Sequence, residues 1–226
     1  MERDSDKKKE KYISLNELAD HNCLDDCWLS WLGDVYDITP ILQRHKGDPL
    51  LVPILMNAGS DISDWFDNET GDPRLCVSPT TNLTTYHTPH GRFLHIPPDA
   101  PRSDFDIDSI SKPWWQEARE NYKVGRLCKR TRKLRILNAL TGEEVVIEVC
   151  PPEPLNAIQD RYTRLHNSHA KSYTWKRLGQ VLDMSATLDE NGVRDDGERM
   201  DECGFVEQLE DVPGVILYFT DDLTVA

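Results

Sequence analysis

Hydrophobic and polar positions along the chain repeat with two different periods, and these sort the sequence into three regions. In residues 12–96, "SLNELADHN" begins with Ser14 three residues ahead of Glu17, the pattern of a capped helical turn. "CWLSWLGDVYDIT" alternates on either side of Gly33-Asp34 and predicts a β-hairpin. "TPILQRH" predicts a helix start, with Thr39 as cap and Pro40 at the first helical position. "PLLVPILMNAG" is apolar and broken by proline, "SDISDWFD" reads as a short amphipathic helix capped by Ser60, and "TNLTTYHTPHGRFLHI" reads as a second hairpin turning near Pro89–Gly91. Residues 97–126 are rich in Pro, Asp and Ser and read as a linker, with Trp114-Trp115 pinning it onto a domain. In residues 127–226, "RKLRILNAL" and "EVVIEVC" alternate around "TGE", and Leu155, Ile158, Tyr162 and Leu165 have helical spacing. Strand patterns follow in "SYTWKRLGQVLDMSATLDENGV" and "VILYFTDD", with an acidic insertion near 194–212 between them. The fold class expected is α+β, in two domains.

Charge changes this picture only in its distribution. The formal net charge is -14. Residues 12–100 hold 13 acids against 4 bases, residues 101–182 hold 10 against 15, and residues 183–226 hold 13 against 2. A basic middle between acidic flanks argues against nucleic acid as the main partner. The longest apolar runs fall short of the ~18 residues that suggest a membrane span, so no membrane partner is expected. "MERDSDKKKEK" has no apolar run behind it and does not read as a secretory signal. The six cysteines are scattered and read as reduced thiols of an intracellular protein. His21, Cys23, Cys27 and two carboxylates in "HNCLDDC" invite a metal reading, but no second cluster stands at zinc-like spacing.

Over roughly the first 80 residues the chain resembles the cytochrome b5 fold, through "HNCLDDCWLSWLGDVYDIT" and "AGSDISDWFD". The resemblance implies that Trp28, Val35, Tyr36 and Ile38 pack beneath a haem pocket. It places the first iron ligand at His45, in "HKGD", where the family has His-Pro-Gly-Gly. The second ligand is expected about thirteen residues beyond Ala58-Gly59, and that count lands on Gly71; no histidine lies between 46 and 86. Cys76, His87 and His90 are the nearest candidates, and haem iron accepts thiolate as well as imidazole. The pair His45 and Cys76 is therefore the expected haem-iron site, with the loop "DNETGDPRLC" folding over the iron; a His45 left as a surface remnant stays open beside it. The last 90 or so residues resemble a ubiquitin-like β-grasp. Ending in "DDLTVA" without Gly-Gly, the chain reads as a fixed interaction module and not as a conjugated modifier.

Together with "KPWWQ" and "VGRL", the two halves resemble the cytochrome b5 domain-containing protein 1 family from about residue 12 to 223. In that family the iron-ligand positions can be Tyr and His. The resemblance implies a cytoplasmic, cytoskeletal location in the axoneme of motile cilia, other radial spoke proteins as partners, and haem-linked redox control of beating. Haem or thiol state at His45 and Cys76 would then reshape the loop 67–79 and a contact surface. The alternative is a soluble electron-transfer haemoprotein with an acidic rim of Asp48, Asp61, Asp64, Asp67, Glu69 and Asp72. No Gly-x-Ser-x-Gly, phosphate loop or His-Glu-x-x-His occurs, and an enzyme is not expected.

Overall fold

A computed structural model describes residues 10–78, 82–98, 112–195, 203–204 and 212–219. The chain divides into two compact units, 1–128 and 129–226. Most of the acidic insertion lies outside the described residues.

The first unit is built on one five-stranded sheet in the order β1-β7-β4-β3-β2. Its strands are β1 (Tyr12–Ser14), β2 (Asn22–Cys23), β3 (Asp26–Trp31), β4 (Asp34–Asp37) and β7 (Lys123–Cys128). The expected hairpin is β3–β4, but Trp31 pairs with Asp34, so the turn is Leu32-Gly33 and not Gly33-Asp34. Both turn residues have positive φ, as the tight turn matched to strand twist requires. Helix α1 (Leu15–Asp20) is capped as its sequence predicts: the Ser14 hydroxyl accepts from the Glu17 amide at 3.1 Å. Helix α2 (Thr39–Arg44) departs in detail. The Asp37 carboxylate accepts from the Thr39 amide, while the Thr39 hydroxyl accepts from the Cys27 amide across the hairpin.

Two further differences come from packing. "SDISDWFD" makes only a single 3-10 turn, Ser63–Trp65, because Ile62, Trp65 and Phe66 all turn into the core. The hairpin expected over 81–96 does not form: Thr88–Gly91 makes a turn, but β6 (Thr84–Tyr86) pairs with the preceding β5 (Leu75–Val77) and no strand is described after the turn to pair with it. Within the proline-broken apolar stretch, a 3-10 turn over Pro49–Leu51 runs into helix α3 (Val52–Leu55).

The segment read as a linker carries structure of the first unit. Helix α4 (Trp114–Asn121) buries Trp114, Trp115 and Ala118, and β7 then runs parallel to β1 and antiparallel to β4. The reason is physical. Buried aromatic side chains each remove roughly 150–250 Å² from water, so the tryptophan pair supplies on the order of 10 kcal/mol of transfer free energy before entropy. Trp114 is fully buried against Trp31, Phe66 and Phe93. Gly125 lets β1 approach: a Cβ there would stand 2.3 Å from the Lys11 carbonyl oxygen. The opposite face of the sheet holds a small cluster of Ile13, Leu18 and Val35, with Trp28 packed on it. Val35 and Trp28 thus lie on the side away from Tyr36 and Ile38.

The second unit has the order β8 (Arg132–Asn138), β9 (Glu144–Val149), α5 (Leu155–Leu165), β10 (Tyr173–Arg177), β11 (Gln180–Val181) and β12 (Gly214–Phe219). Its sheet runs β11-β10-β12-β8-β9, with β12 parallel to β8 and the other pairs antiparallel. That connectivity, with α5 packing Leu155, Ile158 and Tyr162 against the sheet, is the β-grasp arrangement. A capping box at Thr187 and Glu190 satisfies two amides reciprocally.

Candidate functional site

His45 is held where α2 ends. Its amide donates to the Ile41 carbonyl at 3.3 Å, and Gly47, with φ +95, turns the chain away from the helix axis. Asp48 then accepts from the Leu50 amide at 2.8 Å and starts the next turn. "HKGD" therefore performs the sharp exit that a Pro-Gly pair would perform, and leaves the imidazole half-buried.

The ring facing His45 belongs to His95. The two centroids are 5.6 Å apart with planes at 85°. Two imidazoles sharing one metal ion stand roughly 6 Å apart between centroids, since each nitrogen lies about 2 Å from the metal. His95 comes from the loop that packs Phe93, Leu94 and Ile96 into the core, and the Leu94 amide donates to the Leu50 carbonyl at 3.1 Å. That bond joins the two histidine-bearing segments. His95 itself has φ +67, and its Nδ1 accepts from the Trp114 amide at the start of α4, at 2.9 Å. Accepting there fixes the neutral ring with its proton on Nε2; Nε2 would serve as a ligand only with that proton moved to Nδ1 and the Trp114 hydrogen bond given up. Burial, then the His45 charge, hold the His95 pKa below the usual histidine value, which keeps the ring neutral. Neutral imidazole is the form that coordinates a metal.

Helix α4 closes the site's flank. Arg44 at the end of α2 donates to Glu117 at 2.5 Å, and the Tyr122 hydroxyl donates to the same carboxylate oxygen at 3.3 Å. Beneath lies the aromatic core, with Trp31 stacked on Tyr36 at 3.9 Å and meeting Trp114 edge-on at 5.6 Å.

Cys76 lies on β5, half-buried and paired with Thr85 in the two-stranded sheet, between exposed Leu75 and Val77. His87 donates its amide to the Arg74 carbonyl, and His90 stands 5.9 Å from the Trp65 ring. The loop "DNETGDPRLC" folds onto α4. Asp72 accepts from the Trp115 indole at 2.9 Å and from the Gln116 amide group at 3.1 Å, while Arg119 donates to the Gly71 carbonyl. Asp48, Asp61 and Asp67, all candidates for an acidic rim, each accept local hydrogen bonds that shape turns, and Asp72, a fourth, is engaged by α4. In "HNCLDDC", His21 stacks on Trp28 at 3.5 Å and pairs with Asp26, with Cys27 buried in the core. No group of three or more metal-ligating side chains occurs among the described residues.

Residues 14–128 match the family of cytochrome b5-like haem/steroid binding domains, a span ending with β7. The mouse cytochrome b5 domain-containing protein 1 is 48% identical over 221 residues, covering 98% of this chain and 95% of its own length. The human protein of that name is 47% identical, covering 95% of this chain and 92% of its own, and the Xenopus laevis one 46%, covering 95% and 96%. The chain belongs to the cytochrome b5 domain-containing protein 1 family. Among solved structures, the ubiquitin of Caldiarchaeum subterraneum matches 40% of this chain and 95% of its own at 17% identity, with a TM-score of 0.31. Within the family's b5-type domain, the residues that could hold haem are His45 and His95, both half-buried, with ring centroids 5.6 Å apart. Counting from Ala58 misses His95, because the segment between the Ala-Gly pair and the last helix is much longer than the expected spacing. The available signal is "FLHIPP", a histidine between apolar residues just ahead of the Pro-rich stretch.

Proposed function

We propose that this chain is a non-enzymatic subunit of the motile-cilium axoneme, in the radial spoke stalk, whose b5-type domain carries haem between His45 and His95. Membership of the cytochrome b5 domain-containing protein 1 family supports the location. The haem reading rests on one observation: the two facing imidazoles. Haem, when bound, supplies a one-electron couple. The chain's own residues do the rest. His45 is fixed by the end of α2. His95 would hold the iron by giving up its hydrogen bond from the Trp114 amide, with the ring proton on Nδ1. Loss of that bond would loosen the start of α4, and through Asp72 the loop 67–74. Ligand state at the histidines is thereby carried to an exposed surface that neighbouring spoke proteins contact.

The test is a haemin titration of the purified full chain, followed by absorbance in oxidised and reduced forms. A saturable band that is lost in both His45→Ala and His95→Ala, and kept in Cys76→Ala, is the expected result. Loss in Cys76→Ala with retention in His95→Ala would restore the His45–Cys76 pair. A non-saturable titration would remove haem from the proposal and leave a b5-shaped scaffold. Immunofluorescence of the tagged chain in ciliated cells tests the location, with signal restricted to the axoneme expected.

A further inference from the structure

The second unit carries a pocket of about 400 Å³ on the sheet face opposite α5. It opens where β12 begins. Leu137 and Ile216 form its floor as cross-strand neighbours, and Leu178, 92% exposed, forms its lip. Two guanidinium groups enter this apolar setting. Arg135 lies over Gly214 and makes a 3.4 Å contact with Glu144, the one carboxylate among the described lining residues. Arg177, half-exposed, lines the same pocket, and its Nη1 is shielded from solvent without a hydrogen-bond partner. A shielded donor of this kind is offered to an acceptor that enters the pocket.

We infer that this pocket binds an acidic peptide segment of a partner protein, with a carboxylate against Arg177 and Arg135 and the adjoining apolar side chain on Leu137 and Ile216. Charge complementarity selects the occupant. Among the described lining residues two arginines face one carboxylate, a local excess of positive charge that suits a single carboxylate group. The planar fork of arginine suits a carboxylate, and the volume suits one side chain with its neighbour, not a folded domain.

The experiment is fluorescence anisotropy with the full chain and the acetylated, labelled hexapeptide Glu-Asp-Leu-Phe-Asp-Glu, beside a Lys-Lys-Leu-Phe-Lys-Lys control. Saturable binding of the acidic peptide alone is expected, with nitrogen-15 amide shifts centred on Leu178, Gly214 and Ile216. Arg177→Gln should weaken it at least about tenfold, as loss of one charge-assisted hydrogen bond does. Leu178→Ser, at an exposed position that cannot unfold the unit, should weaken it as well. Equal binding of both peptides, unchanged affinity in both variants, or shifts centred away from β12 would overturn the proposal. So would binding that appears only after residues 196–211 are removed, or self-association of the chain through the same face; either would name a different occupant.

Discussion

Cys23 and Cys27 stand four residues apart and differ in chemistry. Cys27 is fully buried, and burial, followed by the charge of Asp37, pushes its thiol up to about 12. Cys23 is exposed. Iodoacetamide at pH 8 is therefore expected to label Cys23 within minutes and to leave Cys27 unlabelled until denaturant is added, as mapped by mass spectrometry. Burial of this kind was legible from the sequence, since Cys27 falls on the alternating core face of "CWLSWL". His95 was not. Its role depends on a loop returning to the end of α2, a long-range contact that no local period encodes. The same holds for Trp114, whose partners Trp31, Phe66 and Phe93 lie far away in sequence.

Among the elements, α4 and the loop 67–74 form one piece through Asp72. Asp72→Ala leaves the Trp115 indole without its acceptor and should cost about 1–3 kcal/mol in urea denaturation, with Asp72→Asn, which still accepts, losing less. The loop has its own pH dependence. The amides of Thr70 and Glu69 donate to the Asp67 carboxylate and hold its pKa below 3.8. The unfolded chain thus takes up this proton first on acidification. The stabilisation is present above 3.8 and is lost as pH falls from there through the lower folded value. Hydrogen exchange at the Gly71 amide, which donates to the Asp67 carbonyl, should accelerate over that range. In Asp67→Ala it should be fast already at neutral pH. Element types were well marked in the sequence wherever period and caps agreed, as at Ser14 and in β8–β9. They were poorly marked at 60–67, where Ile62, Trp65 and Phe66 obey the core and not a helical face.

At the scale of the whole molecule, each unit has a hydrophobic core of its own. Separate fragments 1–128 and 129–226 are expected to melt cooperatively by circular dichroism, whereas a fragment ending at 112 should not. It lacks Trp114, Trp115 and the strand that joins β1 to β4. The separate resemblances of the two halves indicated two bodies, yet the Pro- and Asp-rich composition of 97–126 concealed that the first of them is completed by α4 and β7. The position of β7 also has a consequence for synthesis. On the ribosome, β1, β3 and β4 emerge long before the strand that pairs β1 with β4, and Trp31, Phe66 and Phe93 emerge before the tryptophan that covers them. The nascent chain therefore carries a sticky aromatic face until more than half of it has been translated. A translational pause within 97–113 would prolong the exposure of that face, and a premature stop there would release a polypeptide that chaperones must hold and proteases would remove.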